Sequence, residues 1–317
     1  MSIVEKAVKK HRKDGKKSTG PGGSESVELQ KNNGEAKQVP TLLPAEESLE
    51  TGDGGALGML VSDDEMDAIH LRKRKVLHLD FEALRDASIV PAADLAPNLA
   101  DEFRRIKRPL IANAFGKGVV PVENGNLLML SSAFSGEGKT FTAVNLAMSL
   151  ALERERTVLL VDADVAKPHI SRALGIDQQP GLMDLLMDST LDIADVMVQT
   201  DMPGLRILPA GSRHQYSTEY LASDKMQALV DELSGRYPNR IIIFDSPPLL
   251  QTSEAQVLGG LVGQVVLVIH AGSTPQAAVD CALELIDSTK AINLILNKCR
   301  VKSVNDYYGG YYAKEYK

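Results

Sequence analysis

The feature that most constrains the fold of this 317-residue chain is a glycine-rich loop set between an apolar run and a helical stretch. It reads Ala133-Phe134-Ser135-Gly136-Glu137-Gly138-Lys139-Thr140 and matches the P-loop pattern. In that pattern the glycines let backbone N–H groups surround phosphate oxygens, the lysine reaches the β- and γ-phosphates, and the hydroxyl binds Mg²⁺. The next helix directs its positive end at the anion. The predicted nucleotide-binding residues are Ser135, Gly136, Glu137, Gly138, Lys139, Thr140 and Phe141.

From about residue 77, apolar runs of strand length alternate with helical stretches. The runs are continuous rather than alternating, which is typical of strands buried on both faces of a parallel sheet. The sequence therefore predicts an α/β fold with a mostly parallel sheet and helices on both faces. Strands are predicted at 127–131, 157–161, 205–208, 240–244, 265–269 and 292–296, and helices at 140–154, 218–234 and 276–290.

Three carboxylates follow two of the predicted strands, namely Asp162 and Asp164 after the second strand and Asp245 after the fourth. The carboxyl ends of strands face the ligand crevice in an open α/β sheet. Carboxylates there hold Mg²⁺ or accept a proton from an attacking hydroxyl. A single Asp after a strand is often only an N-cap or turn residue. Three in a chain with a phosphate loop favour the functional interpretation, although the sequence leaves open which acid has which role.

The N-terminal part differs in composition from the rest. The first aromatic residue is Phe81, and residues 14–58 are rich in Gly, Ser, Glu, Lys and Asn, which predicts a largely disordered segment over 1–76. Ser2 and Glu5 form a capping-box pattern at the start of a short amphipathic stretch, and a basic run, 9–13, follows. This basic start is either a contact for a partner or anionic lipid, or simply a solvated terminus.

Net charge, hydropathy and cysteine content argue against several classes of protein. The net charge of −7 argues against a nucleic-acid binder that acts through overall charge. No window of 18 apolar residues predicts a transmembrane helix, and the N-terminus has no secretory-signal pattern. Cys281 and Cys299 are the only cysteines, so a disulfide scaffold or a cysteine zinc site is not expected. The expected compartment is the reducing cytoplasm.

The C-terminus, 303–317, is predicted to be a flexible tyrosine-rich tail that follows the 77–302 domain. Tyrosines in such a tail present their hydroxyls to solvent, as a kinase acceptor must; the alternative is an aromatic tail that docks on a partner. The candidate acceptors are Tyr307, Tyr308, Tyr311, Tyr312 and Tyr316.

A charged helical stretch precedes the first strand. Glu102, Arg105 and Arg108 are spaced to share one helical face, which is either a solvated surface or an interface. Pro109 predicts that this helix ends or kinks there.

These motifs together resemble the bacterial tyrosine kinases (BY-kinases), which are P-loop kinases related to the MinD and ParA ATPases. The resemblance rests on the P-loop, on Val161-Asp162-Ala163-Asp164, on Asp245-Ser246-Pro247-Pro248 and on the tyrosine tail. It implies ATP and Mg²⁺ as cofactors and a catalytic set of Lys139, Asp162, Asp164 and Asp245. It also implies that Thr140, Asp164 and Asp245 surround the metal and that Asn297 contacts the base.

The same resemblance implies that the tail tyrosines are autophosphorylated in trans. It makes Glu102, Arg105 and Arg108 the face that joins subunits into a homo-oligomeric ring. Phe134 stands where the MinD and ParA ATPases carry a signature lysine, which counts against a positioning ATPase of that kind. That ATPase and a non-enzymatic nucleotide-sensing adaptor of a polysaccharide machine are the alternative functions.

The stretch 77–116 is similar to one branch of the family, the autokinases encoded with exosortase and PEP-CTERM exopolysaccharide loci. This similarity implies regulation of exopolysaccharide biosynthesis or export. The implied partners are a transmembrane polysaccharide chain-length (co-polymerase) protein as activator and a phosphotyrosine phosphatase, with no nucleic acid. The chain would then lie at the inner face of the cell membrane through its partner.

Overall fold

The structure, a computed structural model, describes residues 76–91, 96–118, 120–237 and 239–299. Apart from Val76, the predicted disordered segment with its basic start lies outside these residues, as does the tyrosine tail, so both remain predictions. No helix within the described ranges is long and apolar enough to cross a membrane.

Seven strands of the described chain form one sheet in the order β3-β4-β2-β5-β1-β6-β7. Neighbouring strands run parallel, apart from the short antiparallel pair β3–β4 at one edge. The prediction of a mostly parallel α/β sheet is confirmed, and every predicted strand is present to within one residue at each end. The strands are β1 Leu127–Ser132, β2 Thr157–Asp162, β3 Val198–Gln199, β4 Leu205–Leu208, β5 Arg240–Asp245, β6 Gln264–His270 and β7 Ala291–Asn297.

The helices differ from the predicted ones at several places. The helix predicted at 140–154 ends at Ala151, and the one predicted at 276–290 ends at Glu284. The helix predicted at 218–234 is two helices, because the hydroxyl of Ser223 accepts a hydrogen bond from the N–H of Met226 and caps a new helix. Pro109 lies inside a helix that continues beyond it, so the prediction of a helix end there is wrong. The helices are α1 Phe81–Asp86, α2 Ala96–Ala114, α3 Lys139–Ala151, α4 His169–Ala173, α5 Leu182–Met187, α6 Ile193–Val196, α7 Ser217–Leu221, α8 Asp224–Arg236, α9 Ser253–Leu261 and α10 Gln276–Glu284.

Each face of the sheet has its own apolar core, since successive side chains of a strand point to opposite faces. Met129 and Phe244 pack in one core, whereas Leu128, Leu130 and Ile243 pack in the other. This arrangement explains why the strands read as continuous apolar runs.

The strand order brings the polar strand ends together. From β1 the chain moves to β2 on one side of the sheet, while β6 and β7 lie on the other side, so the order reverses at β1. Ligand crevices form at such points, at the carboxyl ends of the strands. Because β2 and β5 are neighbours in register, Asp162 lies beside Asp245.

Candidate nucleotide and phosphoryl-transfer site

The phosphate loop lies at the carboxyl end of the sheet, where β1 ends at Ser132 and α3 begins at Lys139. Gly136 and Gly138 have φ angles of 82° and 96°, in the left-handed region that favours glycine. A Cβ atom on Gly138 would also collide with the side-chain amide of Asn297. Glycine at position 138 is therefore required both by backbone conformation and by the close approach of β7.

Lys139 is buried and forms an ion pair behind the loop. Its Nζ lies 2.9 Å from Oδ2 of Asp164, and both side chains are less than a tenth exposed. Burial acts to lower the pKa of Lys139, but the charges of Asp245 and Asp164 outweigh it and hold that pKa above its ordinary value. The ammonium group is thus a fixed positive charge in a site of low dielectric, where its interaction with phosphate is strong.

Thr140 contacts the acid at the end of β5. Its hydroxyl donates a 2.7 Å hydrogen bond to Oδ2 of Asp245. Burial raises the pKa of Asp245 to about 6, against the opposing charge of Lys139 and the Thr140 hydrogen bond. Oδ1 of Asp245 is buried and accepts no hydrogen bond within the described part of the chain.

The hydroxyl of Thr140 and the unpaired oxygen of Asp245 fit a Mg²⁺ ion. Mg²⁺ in nucleotide sites takes one or two carboxylates, with the phosphates and water completing its shell. No group of three or more His, Cys, Asp or Glu side chains in the described ranges could hold a metal alone. The donor set therefore suits a metal that arrives with a nucleotide. Asp164, the third predicted metal residue, is bound to Lys139 instead.

Asp162 is fully buried beside this pair. Its Oδ2 accepts hydrogen bonds from the hydroxyl and the backbone N–H of Ser171, at 2.7 and 2.8 Å, while its Oδ1 has no partner among the described residues. Burial and the neighbouring charge of Asp245 raise the pKa of Asp162 to about 7, although the Ser171 hydrogen bonds oppose the rise. At neutral pH this carboxyl group is therefore poised between its protonated and ionised forms, as a proton acceptor in catalysis should be.

Glu137, in the loop itself, has a structural role for its side chain. Its carboxylate accepts hydrogen bonds from the N–H of Phe134, at 3.0 Å, and from the hydroxyl of Thr274. The carboxylate is thus turned away from the phosphate position, and only the Glu137 backbone is available to a nucleotide.

The end of β7 closes over the loop. The Asn297 amide donates to the carbonyl of Glu137 at 2.9 Å, and Nζ of Lys298 donates to the carbonyl of Gly136 at 2.8 Å. Asn297 therefore lies beside the phosphate loop, as the prediction of a base contact requires.

A cavity of about 640 Å³ opens in front of the loop. Of the predicted nucleotide residues, Glu137 alone is not part of its wall, and the three carboxylates lie behind Lys139 and Thr140 rather than in the wall. The cavity also uses side chains that sequence reasoning missed. Ser88, Ile89, His169, Arg172 and Lys298 line it with the loop.

Comparison with known proteins places this site in a family. A family model described as an AAA domain matches residues 127–299, which is more than half of the chain. Tyrosine-protein kinase YwqD of Bacillus subtilis is 32% identical over 188 residues, covering 59% of this chain and 77% of the relative. The crystal structure of the VpsO kinase domain is similar with a TM-score of 0.51 and 33% identity, covering 63% of this chain and 98% of that one.

The chain belongs to the bacterial tyrosine kinases. Tyrosine-protein kinase wzc of Salmonella typhi is 31% identical over 195 residues, but the match covers only 26% of that protein, against 60% of this chain. The chain therefore corresponds to about a quarter of that longer relative and to about three quarters of YwqD.

In this BY-kinase, Phe134 and the predicted interface face lie apart from the cavity. Phe134, at the position of the ATPase signature lysine, is exposed and is not part of the cavity wall. The face formed by Glu102, Arg105 and Arg108 is exposed on α2, whereas Phe103 and Lys107 of the same helix are buried. The structure thus presents the predicted interface residues outward, away from the helix's buried side.

Proposed function

We propose that this chain is an ATP-dependent protein-tyrosine autokinase whose acceptors are its own tail tyrosines, 307, 308, 311, 312 and 316. The observation that carries the proposal is the buried network behind the phosphate loop, in which Lys139 bonds Asp164 and Thr140 bonds Asp245. Fixed charges in such a site stabilise the charge that develops as a phosphoryl group is transferred.

Phosphoryl transfer depends mainly on positioning and on charge stabilisation. Loop backbone N–H groups hold the phosphates, and Lys139 leaves Asp164 to stabilise the charge that develops on the transferring group. Thr140 and Asp245, with Asp164 nearby, would hold Mg²⁺, which would supply positive charge to the phosphates. Asn297 positions the base.

In the transfer itself, the tyrosine oxygen forms a bond to the γ-phosphorus while the bond from that phosphorus to the β,γ-bridging oxygen breaks. ADP leaves with the bridging oxygen. The phenolic proton passes to Asp162, whose pKa of about 7 suits that role. Asp162 reaches the acceptor only if the contacts with Ser171 on α4 loosen when the substrates bind.

The tail is long enough for transfer between subunits. The nineteen residues from Asn297 to Tyr316 span on the order of 60 Å when extended, which exceeds the width of a small domain. The root of the tail at Asn297 and Lys298 is bonded to the phosphate loop of its own chain. This anchoring favours delivery of the distal tyrosines to a neighbour's site.

A mixing experiment tests both the activity and its direction. A Lys139→Met chain of altered mass is incubated with the unaltered protein and γ-labelled ATP. Label on tyrosine of the Lys139→Met chain supports transfer in trans, and label confined to the unaltered chain limits it to cis. Absence of phosphotyrosine together with release of inorganic phosphate would instead favour the positioning ATPase.

Self-association into a ring is proposed for the exposed Glu102, Arg105 and Arg108 face. A ring would hold each tail near a neighbour's site at high effective concentration. Each phosphate adds roughly −1.5 to −2 charges to the tail at neutral pH, so the ring should loosen as the tails are modified. Light scattering tests this: an Arg105→Ala/Arg108→Ala protein that still forms the large species would exclude the interface.

The cellular setting is proposed from the family resemblance. A transmembrane chain-length protein would activate the kinase at the inner face of the membrane, a phosphatase would reset it, and the output would be exopolysaccharide export in the exosortase-linked branch. Localisation in cells that lack every such transmembrane protein tests this. Continued membrane association there would assign the contact to the basic N-terminal run instead.

A further inference from the structure

A second concave surface lies away from the nucleotide site, between α1, α2 and α3, and we refer to it as the helical groove. Its volume is about 550 Å³, within the range of sites that bind ligands. The groove is mainly apolar. Its apolar lining includes Phe81, Val90, Leu99, Phe103, Met148 and Leu152.

Two of these apolar side chains are unusually open. Phe81 is 46% exposed and Leu152 is 73% exposed, whereas Phe103 at the groove floor is 6% exposed. Large apolar side chains around a concave surface typically mark a place where another surface binds. The groove is therefore a candidate docking surface.

The groove also carries positive charge. Arg85, Arg104 and Lys107 belong to its described lining, which contains no Asp or Glu. At its margin Asp101 pairs with Arg104, and Glu153 pairs with Lys107. Arg85 donates only to the backbone carbonyl of Phe81 among the described residues. A complementary occupant therefore combines apolar side chains with negative charge.

A segment of the same chain has that composition. Residues 57–69 read Leu-Gly-Met-Leu-Val-Ser-Asp-Asp-Glu-Met-Asp-Ala-Ile, with four acids and no Lys or Arg. An apolar triplet, 59–61, precedes the acids, Met66 lies between Glu65 and Asp67, and Ile69 follows Ala68. The basic run 72–75 that follows bounds the segment.

We infer that residues 57–69 dock in the helical groove of their own chain. The apolar side chains of the segment cover Phe81 and Leu152, and its acids lie against Arg85 and Arg104. This contact is independent of phosphoryl transfer, since the groove contains no residue of the nucleotide site.

The segment 57–69 is close enough along the chain to reach the helical groove. Val76 is the first described residue, and the backbone N–H of Leu77 donates to the carbonyl of Gln199 at 2.8 Å, which anchors the chain at the sheet edge. Phe81 lines the groove only five residues after Val76, within about 18 Å of extended chain. The seven residues from Ile69 to Val76 span up to about 25 Å. A tethered segment also binds at high effective concentration, so modest affinity is enough.

A tryptophan reporter tests the inference, because the chain contains no tryptophan. Leu152→Trp places the only indole at the groove rim, where the large exposure of Leu152 tolerates it. In the full chain we expect short-wavelength emission and weak quenching by acrylamide. Deletion of 57–69 should shift the emission to longer wavelength and strengthen the quenching, and a synthetic 57–69 peptide should reverse both changes.

Matched variants separate the contact from general effects. Met66→Asp/Ile69→Asp should reproduce the deletion, whereas Leu42→Asp/Leu43→Asp, also in the N-terminal segment, should not. Arg85→Glu should release the segment and expose the indole. Asp63→Arg/Asp64→Arg, added to Arg85→Glu, should restore the short-wavelength emission. Lys225→Glu on α8 should leave the emission unchanged.

Two outcomes would overturn the inference. Emission that is unchanged by the deletion but varies with protein concentration would show that a second copy occupies the groove. Emission that reports an exposed indole in the full chain would show that residues 57–69 do not cover it. The readout needs no ATP, so its failure is distinct from a failure of the proposed kinase activity.

Discussion

The carboxyl end of the sheet and the helical groove differ in which side chains they bury and which they expose to solvent. At the sheet end, the charged side chains of Lys139, Asp164 and Asp245 are buried. Lys139 pairs with Asp164, and Asp245 accepts a hydrogen bond from the Thr140 hydroxyl. In the groove, large apolar side chains such as Phe81 and Leu152 are open to solvent. The first region is organised before any ligand arrives, as electrostatic catalysis requires. The second region leaves apolar surface exposed, which is typical of a place where another surface binds.

The largest effect is expected from removing the charge at the organised end. Lys139→Met should lower tyrosine phosphorylation roughly 10²–10³-fold or more, by analogy with loss of a transition-state donor. The matched control is Lys225→Met, an exposed lysine on α8. Phosphotyrosine formation followed with labelled ATP measures the effect. Similar rates for the two variants would show that the buried ammonium does not take part in transfer.

The next effect concerns stability and pH. Burial raises the pKa of Asp162 to about 7, above its ordinary value in the unfolded chain, so the native state favours the protonated group. The stabilisation that protonated Asp162 contributes to the folded state is fully present at acidic pH, and it is lost as the pH rises through about 7. Asp162→Asn should therefore stabilise the nucleotide-free protein at pH 8 by roughly 2–4 kcal/mol. At pH 4 the same substitution should add little stability.

Thermal unfolding at both pH values checks this, with the exposed Asp231→Asn as control. Equal midpoints for Asp162→Asn and the unaltered protein at pH 8 would show that the buried carboxyl carries no such cost.

A smaller effect is expected at the close approach between the loop and β7. Gly138→Ala introduces a Cβ against the Asn297 amide at a left-handed φ, which costs about 1–3 kcal/mol. We expect weaker nucleotide binding in calorimetric titration and a lower unfolding midpoint. Gly235→Ala, where a Cβ meets no atom within 4 Å, should bind nucleotide normally. Normal binding by Gly138→Ala would mean that β7 moves aside freely.

The smallest effect is expected on stability, from a substitution in α2 beside the helical groove. Pro109 interrupts the hydrogen bonding of α2, which otherwise continues to Ala114. Pro109→Ala restores that hydrogen bond but frees the unfolded chain, for a net gain of about 1–2 kcal/mol. Pro275→Ala, at the N-cap of α10, removes no such interruption and should not stabilise the protein. A loss of stability in Pro109→Ala would show that α2 is adapted to its proline.

Much of the sheet and the phosphate loop could be predicted from the sequence because their signals are local. Continuous apolar runs identify strands buried on both faces, and the glycine spacing of the loop reflects backbone demands. The antiparallel pair β3–β4 was not predicted, since Val198–Gln199 is too short to form a pattern. The split between α7 and α8 depends on the Ser223 cap, which interrupts an otherwise helical run.

The acids of the site show where prediction from sequence ends. The position of Asp162 after a strand was readable, but its hydrogen bonds to Ser171 depend on how α4 folds back onto β2. The use of Arg172 and Lys298 in the cavity wall likewise depends on tertiary packing.

The central claim is that the buried charges behind the loop serve transfer of a phosphoryl group to the tail. Mass spectrometry of the C-terminal peptide, after incubation of the full chain with ATP and Mg²⁺, tests it most directly. The account predicts phosphate on tyrosines among 307, 308, 311, 312 and 316, absent without ATP and in Lys139→Met. An unmodified tail on protein that binds ATP would contradict it.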